Sequence, residues 1–188
     1  MTVKRNEISF YPEIQTYIES QIKSNFLAKK NSSINVYWGI GELKAKLQEI
    51  ISQHPIECGC VRSFASRVPP LNLDIFALIT DGSHFKLLIL EIKLLPRVGL
   101  KEWSQLVGYC LVSGAQYGLL INIDNGASER LFHILTDDPN VSFIETAKGN
   151  HLLGLMKWDS VTRDFVYSNL GVVKSISDLS DQLLLEFN

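Results

Sequence analysis

Two carboxylates and a lysine occupy positions where a soluble protein rarely places charge. The run HFKLLILEIKLL carries Glu91 and Lys93 among leucines and isoleucines, and LNLDIFALIT carries Asp74 in a stretch otherwise apolar apart from Asn72 and Thr80. Successive side chains on a strand alternate faces, so Glu91 and Lys93 point the same way, about 7 Å apart, with Phe85, Leu87 and Ile89. A tight hairpin at Asp81-Gly82 sets Asp74 near residues 89 and 91 on the neighbouring strand. Charges so placed cost several kcal/mol per ion unless a partner compensates. One compensation is a divalent cation. Oxygens from Asp74, Glu91 and the backbone carbonyl of Ile92 suit Mg²⁺, which keeps its other positions for water and phosphate oxygens. Lys93 would then contact the phosphate and orient or help deprotonate an attacking water. The other compensation is a structural ion pair between Lys93 and either acid, the ordinary reading of a single acid-x-Lys on a strand.

Gln105 and Tyr109 bear on that choice. They lie four residues apart in LKEWSQLVGYCLVSGA, so a helix turns both toward one place. Gln can hold a water or a phosphate, and Tyr can stack on a base. Taken alone, the pair reads first as a solvated Gln and a half-buried Tyr.

The elements that must position these residues are legible as patterns. Ile14, Tyr17, Ile18, Ile22 and Phe26 recur at helical steps from Tyr11, and NSSINVYWGIG breaks that helix. Leu43, Leu47, Ile50 and Ile51 predict a second helix from Gly41, ended by His54-Pro55. CVRSFASR, LNLDIFALIT and HFKLLILEIKLL read as a meander of three strands. Pro96 and Gly99 interrupt the third, a helix follows with Leu100, Trp103, Leu106, Val107, Cys110 and Leu111 on one side, and Gly114 closes it. YGLLINID is expected to be a buried strand parallel to an earlier one, since a helix separates them. RLFHILTDDPN, FIET and HLLGLMKWDSVTRDFVYSN read as further strands, before a terminal helix opened by Ser177 or Asp178. The order helix, strand, strand, strand, helix, strand predicts an α/β fold with a mixed sheet flanked by helices.

Composition narrows the function. The chain has 188 residues, 46% hydrophobic and 20% charged, with a formal net charge of -2, so one globular domain over 1–188 is expected and a polyanion partner must be met by a local cationic cluster. The first residues have charges without an apolar run behind them and no segment is long enough to span a bilayer, so a cytoplasmic protein without membrane association is expected. Cys58, Cys60 and Cys110 do not form a disulfide framework, and with His54 they lack zinc-ligand spacing. His84, His133 and His151 are scattered without ligand spacing.

Asp74, then Glu91-Ile92-Lys93, then Gln105-Leu-Val-Gly-Tyr109 together resemble the PD-(D/E)xK nuclease superfamily, and the Gln-x-x-x-Tyr element resembles its RecB-like branch. The resemblance covers about 41–124 and implies a restriction endonuclease-like core, αβββαβ, with extra strands and a helix after it. It implies Mg²⁺-dependent hydrolysis of DNA, with Mn²⁺ as a substitute. Asp74, Glu91 and Ile92 would be metal ligands, Lys93 the catalytic lysine, and Gln105 and Tyr109 supporting residues. The family often adds an acid from its first core helix, here Glu42 or Glu49, although Glu42 reads equally as a surface partner of Lys46. Pro69 and Pro70 stand a few residues before Asp74 rather than directly before it, a departure from the motif. Arg97 and Lys101 are either phosphate contacts or ordinary surface charge. A homodimer or a larger nuclease complex is the expected assembly, endonuclease and exonuclease action both stay open, and the alternative is a noncatalytic nuclease-fold subunit binding DNA or a protein partner.

Overall fold

The computed structural model describes residues 6–147 and 149–187. Its frame is a mixed sheet of seven strands in the order β1-β2-β3-β4-β6-β5, with β7 also paired to β6. β1 (Asn35–Glu42), β2 (Asn72–Thr80) and β3 (Phe85–Lys93) form an antiparallel meander; β4 (Tyr117–Ile123) runs parallel to β3, and β6 (Gly149–Asp159) parallel to β4. β5 (Phe143–Thr146) and β7 (Asp164–Gly171) pair antiparallel with successive halves of β6.

Helices cover both faces. α1 (Tyr11–Lys30) and α6 (Ile176–Glu186) close one side, where Ile14, Ile18, Ile22, Leu179 and Leu183 pack on Ile75, Leu88, Leu90 and Ile92. α2 (Leu43–Gln53), α3 (Arg62–Arg67), α4 (Leu100–Ser113) and α5 (Glu129–Asp137) close the other, over Phe76, Leu87, Ile89 and Leu120. β4 is buried along its whole length, as a parallel strand between two helical layers must be. Its parallel pairing and the Gly114 cap of α4 (φ +78°) are as the sequence predicts. No helix among the described residues is long and apolar enough to cross a membrane.

Three segments depart from the sequence reading. NVYWGIGE is strand β1, not a break: Gly39 lies under the Phe76 ring, where an added Cβ would come within 2.2 Å, and Gly41 (φ +96°) sits beside a bulge. CVRSFASR is a 3₁₀ turn and α3, not a strand, because Cys58, Val61, Ala65 and Val68 are buried at helical steps. RLFHILTD belongs to α5, capped by Ser128 and buried through Leu131 and Leu135. The first strand of the meander is therefore β1, and the helix before it is α1. The αβββαβ order runs from Tyr11 to Ile123 rather than starting near 41, with α2 and α3 inserted between β1 and β2. The terminal helix opens at Ser175, whose hydroxyl accepts from the Asp178 N–H, two or three residues before Ser177 and Asp178.

Candidate active site

The hairpin between β2 and β3 sets the geometry. Its connection is four residues, Asp81 to His84, not two: Asp81 Oδ1 accepts from the Ser83 and His84 N–H groups, and Gly82 takes a positive φ of +94°. The longer turn moves the register by one pair. Thr80 faces Phe85 and Ile75 faces Leu90, the last registered pair, so Asp74 and Glu91 are the next residues along the two strands.

Lys93 closes the cluster. Its Nζ donates to Asp74 Oδ2 at 3.0 Å and lies 2.6 Å from Glu91 Oε1. The second contact is the shorter one and engages Oε1 alone, which leaves the buried Oε2 of Glu91 without a partner. Exposure grades outward: the Glu91 side chain is 1% exposed, Lys93 18% and Asp74 28%. Burial pushes the Glu91 carboxyl up to about 7; the Lys93 contact pulls it down, and the charges of Asp74 and Glu7 add to the upward push. Burial draws the Lys93 ammonium down, but Glu91 and Asp74 outweigh it and hold the lysine above its usual range.

One acid of this cluster escaped the sequence reading. Glu7, in the 3₁₀ turn Glu7–Phe10 that leads into α1, accepts a hydrogen bond from the Tyr11 hydroxyl at 3.3 Å. Burial, then Asp74, Glu7 and Glu91, hold the Tyr11 phenol well above the ordinary tyrosine range, so the N-terminal turn faces the same negative field as the strand ends. The signal was an acid just before the first helix, hidden by reading α2 as the helix that opens the core.

The two acids named for that role have other partners. Glu42 is the N-cap of α2, its two oxygens accepting from the Lys44 and Ala45 N–H groups at 2.9 Å each. Lys46 pairs with Glu49 at 2.6 Å, not with Glu42. On α4, Gln105 Nε2 donates to the Tyr109 hydroxyl at 3.1 Å, so these two meet as their spacing predicts. Among the described residues no hydrogen bond or ion pair joins either to Asp74, Glu91 or Lys93. α4 starts where it does because Glu102 accepts from the Gly99 N–H at 2.8 Å. Asn122, buried on β4, ties the loop after β3 to the loop after β4 by bonding both backbone groups of Leu95 and the carbonyl of Gly126.

A hard cation matches this donor set better than a soft one, since its side-chain oxygens belong to carboxylates. Among the described residues no group of three or more His, Cys, Asp or Glu is arranged to hold a metal ion. A cation here would rely on two carboxylates, with Ile92, whose side chain packs on the opposite face, able to offer only its backbone carbonyl. The thiols of Cys58, Cys60 and Cys110 are free. No protein-family model, curated protein or solved structure matches this chain.

Proposed function

We propose that the chain is a Mg²⁺-dependent deoxyribonuclease of the PD-(D/E)xK type, built on a restriction endonuclease-like core and acting in restriction, repair or recombination. The observation that carries this reading is the lysine ammonium held 3.0 Å from Asp74 and 2.6 Å from a buried Glu91 whose second oxygen, Oε2, has no partner. A purely structural pair would be expected to satisfy its buried acceptor. The strand order supports the reading too: an antiparallel meander after α1, then α4 and a parallel strand.

Asp74, Glu91 and the Ile92 carbonyl would hold Mg²⁺, or Mn²⁺ in its place. When bound, the ion supplies charge stabilisation at a phosphate oxygen and acidifies a coordinated water. Lys93, charged at neutral pH, is placed to leave Glu91 for a phosphate oxygen and to orient the attacking water. Gln105 would hold a water or phosphate from the face of α4, with Tyr109 fixing its amide. Two sites from a homodimer would serve a double-strand cut.

A second reading has its own observation. Lys93 already meets both acids, and such a closed triad is what a noncatalytic nuclease-fold subunit would keep. Incubation with supercoiled and linear DNA in Mg²⁺, Mn²⁺ or EDTA, beside Lys93→Ala and Asp74→Ala, separates the two. Metal-dependent cleavage lost in both variants supports the nuclease; no cleavage and no metal binding supports the subunit.

A further inference from the structure

Cations in this molecule fall into two classes. Lys23, Lys29 and Lys86 are tied to Glu19, Asp181 and Glu186 at 2.5–2.6 Å. At the sheet end that carries Lys93 the pattern reverses. Arg97 in the β3–α4 loop, Lys101 in the first turn of α4 and Arg130 in the first turn of α5 are exposed, and Lys157 on β6 is half-buried; none of the four is in an ion pair among the described residues. Several acids of the same end bond to backbone N–H groups, Glu42 and Glu102 at helix starts, Asp124 to Ser160, and Asp159 to Val161 and Thr162 in the β6–β7 turn, while Asp74 and Glu91 hold Lys93 and Asp159 also feels the charge of Lys157. Glu129, beside Arg130, is exposed.

Register sets Lys157 in one row with Lys93. Lys93 faces Asn122 on β4, and Asn122 faces Lys157 on β6, so the two lysines lie on one face about 10 Å apart at the usual strand spacing. Leu155, two residues before Lys157, packs in the same layer as Ile89 and Leu120, which fixes that face as the one Glu91 uses. Above the row, the Asn122 amide and the parallel bridge Val98–Ala127 hold the Arg97 loop against the segment leading to Arg130.

We propose that an extended nucleic-acid strand crosses this end of the sheet, its phosphates held by Arg97 and Lys101 on the α4 side of Lys93 and by Arg130 and Lys157 on the β6 side. The proposal deepens the nuclease reading in placing the scissile bond near Lys93, while the track itself stands on charge and register. Cations on both sides of Lys93, none of them closed into an ion pair among the described residues, fit a linear polyanion better than a single phosphate ester, because each phosphate meets its own donor.

The test is a salt series of fluorescence-anisotropy titrations on the full chain in EDTA, using labelled single-stranded DNA, duplex DNA and RNA of one sequence. The slope of log affinity against log salt is expected to fall by about 1.5 in Arg97→Ala/Lys101→Ala and by a similar amount in Arg130→Ala/Lys157→Ala, two contacts each at about 0.7–0.9 per phosphate. Lys23→Ala/Lys29→Ala leaves the slope unchanged. No binding by the natural chain, or equal slopes in all variants, overturns the track. Reduced slopes without cleavage in Mg²⁺ keep the track and remove the nuclease; cleavage with unmoved slopes keeps the nuclease and removes the track. Tighter binding of DNA or of RNA, with the slopes reduced, supports the track and identifies the sugar.

Discussion

Strand β3 carries an ion-paired lysine near each end, and the two pairs are built differently. Lys86 meets Glu186 of α6 at 2.5 Å, one cation to one acid, with the side chains 22% and 34% exposed. Lys93 meets two acids, one of them 1% exposed and with its second oxygen, Oε2, unpartnered. The first pair balances its charge in partial contact with water. The second leaves a carboxylate in excess where water is scarce, so it costs stability unless a further cation arrives. The two pairs thus differ in stoichiometry and burial, not in distance, which is nearly the same at both ends.

The comparison breaks most visibly on removing the lysines. Lys93→Ala strands two carboxylates, one of them buried, and is expected to cost about 3–5 kcal/mol in denaturant titrations at pH 8, part of it recovered by Mg²⁺. Lys86→Ala, at the half-exposed pair, is expected to cost at most about 1 kcal/mol, with no recovery. Equal losses would erase the difference between the two ends.

Glu91→Gln sharpens it through pH. The folded-state value of Glu91 lies near 7, above its ordinary 4.5, so the fold favours the protonated form. That contribution is complete below about pH 4.5 and is lost as pH rises through about 7, a change of up to roughly 3 kcal/mol. The natural chain should therefore lose stability relative to Glu91→Gln across this window. Mg²⁺, which needs the ionised carboxylate, should bind the natural chain more tightly over the same rise and show little pH dependence in the variant, as followed by calorimetry.

The smallest effect concerns an acid already engaged. Glu42→Ala removes the N-cap of α2 and should lower stability by about 1 kcal/mol while leaving Mg²⁺ affinity unchanged. Loss of metal binding in this variant would return Glu42 to the ligand set.

The strands that carry the charged cluster could be read from the chain alone because polar interruptions in apolar runs survive without tertiary information. Asp74, Glu91 and Lys93 are such interruptions, and the Gln105–Tyr109 contact follows from helical spacing. β1 was hidden by Gly39 and Gly41, which look like a break until the Phe76 ring is seen lying over one of them. α3 and α5 were hidden by residues that suit a strand as well as a helix, Val61 and Phe64 in one and Ile134 and Phe132 in the other; the faces they bury decide. Glu7 was out of reach for a different reason. Its place depends on how α1 docks across the sheet, and no local pattern encodes that. The register slip in the hairpin was likewise a matter of the Asp81 side chain capturing two backbone groups, which lengthened the turn.

The amide of Asn122 acts like a rivet between two loops that would otherwise move separately. With Leu95 and Gly126 bonded to one buried side chain, and Val98 bridged to Ala127, residues 94–99 and 124–128 form one mechanical unit. The Leu95 amide should then exchange with deuterated solvent only when this unit opens as a whole, which makes its exchange rate a clock for the opening of the whole mouth above Lys93.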